Sequence, residues 1–174
     1  MFPLIKKVSL LLIGALILSG CAKSSQSSSD FSSNDITFAE MMIPHHEQAI
    51  EMSELAFQNT SNSEVLKIAQ EIGDSQSPEI ELMKSWTGVK ESTHAGHLME
   101  GMLSEVEISE LRAAKNDAFD LLFLEGMIKH HRGAIEMAKD AIYSDNIEVA
   151  NLSASIMKTQ EIEITLMQDL LLAQ

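Results

Sequence analysis

The feature that most constrains this chain is that it repeats itself. Residues 38–52 match residues 123–137 at an offset of 85, with Phe38/Phe123, Glu40/Glu125, Met42/Met127, Ile43/Ile128, His45/His130, His46/His131, Ala49/Ala134, Ile50/Ile135, Glu51/Glu136 and Met52/Met137 as identical pairs. A fainter match at an offset of 84 pairs Ile72, Gln76, Glu79, Ile80, Leu82 and Met83 with Ile156, Gln160, Glu163, Ile164, Leu166 and Met167. Each half therefore holds one His-bearing segment followed by one Gln-x-x-Glu-Ile-x-x-Met segment. Repeated units bury their apolar faces against one another, so two similar halves in contact are expected.

Both kinds of segment carry helical periodicity. Val65, Ile68, Ala69, Ile72, Ile80 and Met83 recur at steps of three and four, as do Val149, Leu152, Ile156, Leu166 and Leu170. Period-two β-branched runs are absent from the sequence. The boundaries have suitable chemistry: Asn34-Asp35 before a first helix, Ser61-Asn62-Ser63 before a second, Ser144-Asp145-Asn146 before a fourth. A capping box at Ser104 and Glu107 opens a segment ahead of the third. Pro44 and Pro78 fall inside helical patterns, where each removes an amide and is expected to kink its helix. Four helices in two repeated hairpins, joined by an irregular stretch from Thr87 to Leu103, predict an all-α four-helix bundle with an internal pseudo-two-fold.

The N-terminus reads as an address. Lys6 and Lys7 precede an apolar run from Val8 to Leu18, too short to span a bilayer comfortably, and Ser19-Gly20 offers a small-residue cleavage site. Cys21, the sole cysteine, follows directly, and Leu18-Ser19-Gly20-Cys21 resembles the lipobox of bacterial lipoproteins. Residues 1–20 are thus expected to be a lipoprotein signal peptide, 21–35 a lipidated Cys with a Ser-rich tether, and 36–174 the bundle. That arrangement anchors the domain to a membrane rather than threading it through one, and places it in an extracytoplasmic space. Removing the leader leaves ten basic against 26 acidic side chains. Nucleic acid is an unsuitable partner for such a surface, because phosphate binding needs clustered Lys and Arg. One cysteine also excludes an internal disulfide framework and a thiolate zinc site.

Eleven Met and six His in a chain with one Trp, one Tyr and six Phe are the compositional oddity, and they cluster. At about 100° per residue, Met42, His46 and Ala49 share one face of the first helix with His45 and Met52 beside them; Met127, His130, His131, Ala134 and Met137 repeat this in the third. The pseudo-two-fold is expected to bring Met42/His46 and Met127/His131 to one level of the core. Imidazole suits copper in either oxidation state, and thioether selects Cu(I). Di-iron bundles place Glu three residues before His; here those positions are Met42 and Met127, sulfur in place of oxygen, which favours a soft ion. Glu40, Glu51, Glu125 and Glu136 are candidate carboxylate partners behind the ligands, although Glu51 and Glu136 fall nearly opposite Met42 and Met127 on the helical wheel and are expected on the solvated face. A further cluster, His94, His97, Met99 and Met102 with glycines between, has the composition of a flexible segment able to wrap a metal.

With these residues the chain resembles the bacterial family catalogued as domain of unknown function 305. The likeness rests on residues 42–52, on Phe119, Asp120, Phe123, Leu124, Met127, Ile128, His130, His131, Gly133, Ala134, Ile135 and Met137, and on the paired Gln-x-x-Glu-Ile-x-x-Met segments; it covers roughly 36–172. The resemblance implies a ferritin-like four-helix bundle and a periplasmic or secreted copper-binding role in copper tolerance. It maps ligands onto Met42, His45, His46, Met127, His130 and His131, with His94, His97, Met99 and Met102 as the Met/His-rich connector. The expectation is a non-enzymatic, lipid-anchored protein that sequesters Cu(I) or Cu(II), or hands it to a protein partner. Its rivals are a ferritin-like di-metal oxidoreductase and a metal-independent interaction lipoprotein.

Overall fold

The computed structural model describes residues 30–90 and 96–173. The leader, Cys21, the tether up to residue 29 and His94 lie outside the described residues. The described residues form five helices in order: α1 (Ser33–Asn59), α2 (Ser63–Lys84), α3 (Glu105–Ala113), α4 (Asp117–Ala141) and α5 (Ile147–Leu172). Among the described residues there is no strand, and no helix is long and apolar enough to cross a membrane.

Local chemistry sets the ends. The Ser32 hydroxyl accepts from the Asp35 amide at 3.2 Å while the Asp35 carboxylate accepts from the Ser32 amide at 2.7 Å, a reciprocal box. The first helix thus begins at Ser33, inside the stretch that composition assigned to the tether. Asn62 and Asn146 cap α2 and α5 at matching positions, and Ser104 with Glu107 forms the expected box on α3. Pro44 and Pro78 lie within helices that run without interruption.

Contacts between ends fix the topology. Phe31 stacks on Trp86 at 4.9 Å, bringing the end of α2 back to the start of α1, and the Trp86 indole donates to Glu148 near the start of α5. Asp35 accepts from the Ser144 hydroxyl beyond α4, and the Asn116 amide donates to the Asn59 carbonyl at the far end of α1. Helices α1 and α4 therefore run antiparallel, and around the bundle each helix is antiparallel to its neighbours. The chain order is up, down, down, up. Such an order requires one connection along the full length of the bundle, as in ferritin-like folds; of it, residues 96–116, with α3 among them, are described.

Among the described residues two apolar clusters fill the interior. Phe38, Ala39, Met42, Ile43, Ile80, Met83, Trp86, Ala134, Ala138, Val149, Leu152 and Ile156 form one. The other contains Ala49, Met52, Ile68, Ile72, Phe119, Phe123, Leu124, Met127 and Met167. On α1 the break between them falls at His45 and His46, and on α4 at His130 and His131, so a polar layer divides the core.

Candidate metal centre

All four histidines of the duplicated motif are fully buried. The helix periodicity that turns Met42, Ala49 and Met52 inward carries the two rings of α1 with them, and α4 repeats the pattern. The His45 and His130 rings meet with centroids 3.8 Å apart and planes tilted by 41°; His130 and His131 lie 6.3 Å apart. Position 45 facing 130 is the same register as Asn59 facing Asn116, so one antiparallel alignment of α1 and α4 accounts for both contacts.

That register separates the two methionines. Met42 and Met127 each precede their histidines by one turn on helices that run in opposite directions. They consequently fall on opposite sides of the layer, about 9 Å apart along the axis at 1.5 Å per residue, one in each apolar cluster. The expectation that both would arrive at one level is corrected here: an antiparallel two-fold places matched residues at equal distances on either side of its axis.

The ring nitrogens have uneven partners. His46 Nε2 lies 2.9 Å from Glu79 Oε2, and His131 Nε2 lies 2.6 Å from Glu163 Oε2. His45 Nε2 donates to the backbone carbonyl of Glu100 at 3.1 Å. Both nitrogens of His130, and Nδ1 of His45, His46 and His131, are buried with no protein hydrogen-bond partner. Gln76 and Gln160, one turn before the two glutamates, are likewise buried with both amide atoms unpartnered. Buried polar atoms are normally satisfied, so this concentration marks the layer as a place for something other than packing. Burial pushes His45 down to about 3, with His46 beside it adding to the shift, and pushes His130 well below the usual imidazole range. Both rings are neutral at physiological pH and carry a lone pair for a cation.

The glutamates behind the rings are not those expected. Glu40 is buried but accepts from the Lys90 amide. Glu125 is exposed, while Glu51 pairs with Arg112 and Glu136 with Lys139 at the surface, where the helical wheel places them. Glu79 and Glu163 take that place instead. Their signal was present in the sequence, since each is the matched acidic residue of the Gln-x-x-Glu-Ile-x-x-Met segment.

The crossing connector touches the layer through its backbone. A Cβ on Gly133 would lie 2.0 Å from the Glu100 oxygen, and a Cβ on Gly101, whose φ is +81°, would lie 2.7 Å from the Lys129 oxygen. Both positions need glycine for this close approach. Gln48, the repeat partner of Gly133, holds the other end of the segment: its amide nitrogen donates to the Leu103 carbonyl at 2.9 Å and its oxygen accepts from the Leu103 amide at 2.7 Å. The same repeat position thus serves the connector twice, once by a side chain and once by lacking one. His97 is exposed, Met99 and Met102 are half-buried, and the Met99 amide donates to the Met102 sulfur at 3.4 Å. Among the described residues no three His, Cys, Asp or Glu side chains are spaced to hold an ion together; thioethers fall outside that set.

The family model described as domain of unknown function (DUF305) matches residues 35–171. The chain belongs to the DUF305 family. A DUF305 protein of Streptomyces coelicolor, described as a candidate secreted protein, is 30% identical with a TM-score of 0.75, covering 81% of this chain and 93% of that one. CopM in a Cu(II)-bound form is 34% identical with a TM-score of 0.67, covering 78% of this chain and 93% of that one. CopM in a Cu(I)-bound form is 30% identical with a TM-score of 0.64, covering 80% and 95%. The comparison with curated proteins gives no match.

Proposed function

We propose that this DUF305 protein is an extracytoplasmic, lipid-anchored copper-binding protein that sequesters copper or passes it on, without catalysing a reaction. The observation that carries the reading is the buried layer of four imidazoles with five unpartnered ring nitrogens. It stands in a chain whose structural neighbours include CopM with Cu(I) and with Cu(II) bound. His45, His46, His130 and His131 are the imidazole donors, and Met42 and Met127 supply thioether from either side. Imidazole accepts copper in either oxidation state and thioether favours Cu(I), so a ring pair with one thioether is a donor set suited to Cu(I). The connector residues His94, His97, Met99 and Met102 form an outer site through which copper enters and leaves by ligand exchange. Cys21 carries the lipid, and the likeness to a candidate secreted protein agrees with an extracytoplasmic place.

Competitive Cu(I) titration of a soluble fragment starting near Ser32 tests the reading. Tight binding that disappears in a His45/His46/His130/His131→Ala variant is expected, together with a rise in thermal midpoint with copper, since an ion that binds only the folded state stabilises it. Unchanged affinity in that variant overturns the proposal. For the anchor, a Cys21→Ala chain is expected to leave the membrane fraction.

A further inference from the structure

Two features of the layer are duplicated more faithfully than packing needs. His46 and His131 each face a glutamate from the partner helix of their own hairpin: Glu79 on α2 and Glu163 on α5. In both pairs the contact is to Nε2, at 2.9 and 2.6 Å, and in both the other ring nitrogen, Nδ1, is buried without a protein partner. The glutamate side chains are themselves largely covered, 15% and 7% exposed. Burying a carboxylate carries a desolvation cost that an apolar residue of similar volume avoids, and the repeat places that cost at the same point in each half.

The direction of the hydrogen bond decides what the ring presents to the core. A carboxylate accepts, so Nε2 carries the proton, and in a neutral imidazole the lone pair is then left on Nδ1. Such a contact favours the Nε2–H tautomer and limits the rotation of the ring. Where a histidine ligates a metal, such a carboxylate on the opposite nitrogen orients the ring and raises its basicity toward the ion. His45 shows a weaker version with the Glu100 carbonyl as acceptor, and His130 has neither.

We propose that Glu79 and Glu163 are positioning residues which hold His46 and His131 as Nε2–H imidazoles, so that Nδ1 is the nitrogen offered to the ion. The ligand role rests on the copper reading above, whereas the tautomer belongs to the metal-free protein and stands apart from it. The hairpin is then the unit of assembly. Each half supplies a ring from one helix and its orienting carboxylate from the next, and duplication yields two matched ring-and-carboxylate pairs across one pseudo-two-fold. A pair that existed only to satisfy a buried ring leaves no reason for Nδ1 to stay unpartnered in both copies.

Long-range proton–nitrogen NMR of the 15N-labelled, metal-free fragment reads the tautomers directly, with Glu79→Gln, Glu163→Gln, Glu79→Leu and Glu163→Leu beside the wild type. His46 and His131 are expected as single Nε2–H tautomers. The Gln variants keep an oxygen acceptor and are expected to retain that tautomer and to lose less than tenfold in Cu(I) affinity. The Leu variants are expected to give mixed tautomers and to lose roughly 10- to 100-fold. Nδ1–H rings in a wild-type protein that binds Cu(I) overturn the positioning role and leave the copper reading intact. Nε2–H rings in a protein with no copper affinity overturn the copper reading, and with it reduce the glutamates to structural pairs. Leu variants that fold and bind as wild type also overturn the proposal; should they fail to fold, the wild-type tautomers and the Gln variants still decide it.

Discussion

Replacing Gly133 with Ala sets a local helix gain against a tertiary clash, and the structure decides the sign. In a helix interior Ala is more favourable than Gly by about 1 kcal/mol, and Gly133 lies well inside α4. Its new Cβ, however, would stand 2.0 Å from the Glu100 oxygen and 2.8 Å from the Gly101 Cα. Reaching an ordinary carbon–oxygen contact of about 3.3 Å requires the connector to retreat by roughly 1.3 Å. That movement breaks the His45 to Glu100 hydrogen bond, leaving a buried donor unpaired at a cost of about 1–3 kcal/mol, and strains the packing by a similar amount. After subtracting the helix gain, a net loss of about 3 kcal/mol is expected, or a thermal midpoint lower by about 9 °C for a domain of this size. Gly73 is the control, because a Cβ there meets nothing within 4 Å; Gly73→Ala is expected to gain up to about 1 kcal/mol. Calorimetry and urea unfolding of the metal-free fragment measure both. A Gly133→Ala protein as stable as wild type, or stabilised like Gly73→Ala, would refute the claim that the connector backbone lies against α4 at this point.

Acid is expected to weaken the fold through His45 and His130. Their folded pKa values lie below the unfolded value of 6.5, so stability is level above pH 6.5 and falls below it as the unfolded chain takes up protons that the folded one refuses. The slope is about 1.4 kcal/mol per pH unit for each ring, and denaturant midpoints that stay flat between pH 7 and pH 5 would contradict it. Asp35→Ala removes both the α1 capping box and the tie to Ser144, for which a loss of about 1–3 kcal/mol is expected in thermal unfolding. Met42→Leu and Met127→Leu conserve volume and are expected to cost less than about 1.5 kcal/mol in stability while lowering affinity for Cu(I) more than for Cu(II). Since the two sulfurs lie on opposite sides of the layer, their effects on titration are expected to add.

The sequence by itself determined a good deal. The 85-residue repeat and the three- and four-residue spacing established four long helices in two hairpins. The inward face of each helix also followed, because periodicity states which side of a helix is apolar; hence the burial of His45, His46, His130 and His131 was legible beforehand. What periodicity leaves open is the height at which one helix meets another, and that register belongs to the tertiary structure. The antiparallel alignment of α1 with α4 set His45 on His130 and drew Met42 away from Met127. The packing of each hairpin chose Glu79 and Glu163 over Glu40 and Glu125 as the carboxylates behind the rings. The crossing connector, whose glycines looked like mere flexibility, became a fitted strap once Gly133 and Gln48 were seen to hold it. A face is a property of one helix and can be read along a single chain, whereas a meeting depends on two surfaces and the distance their side chains keep between them.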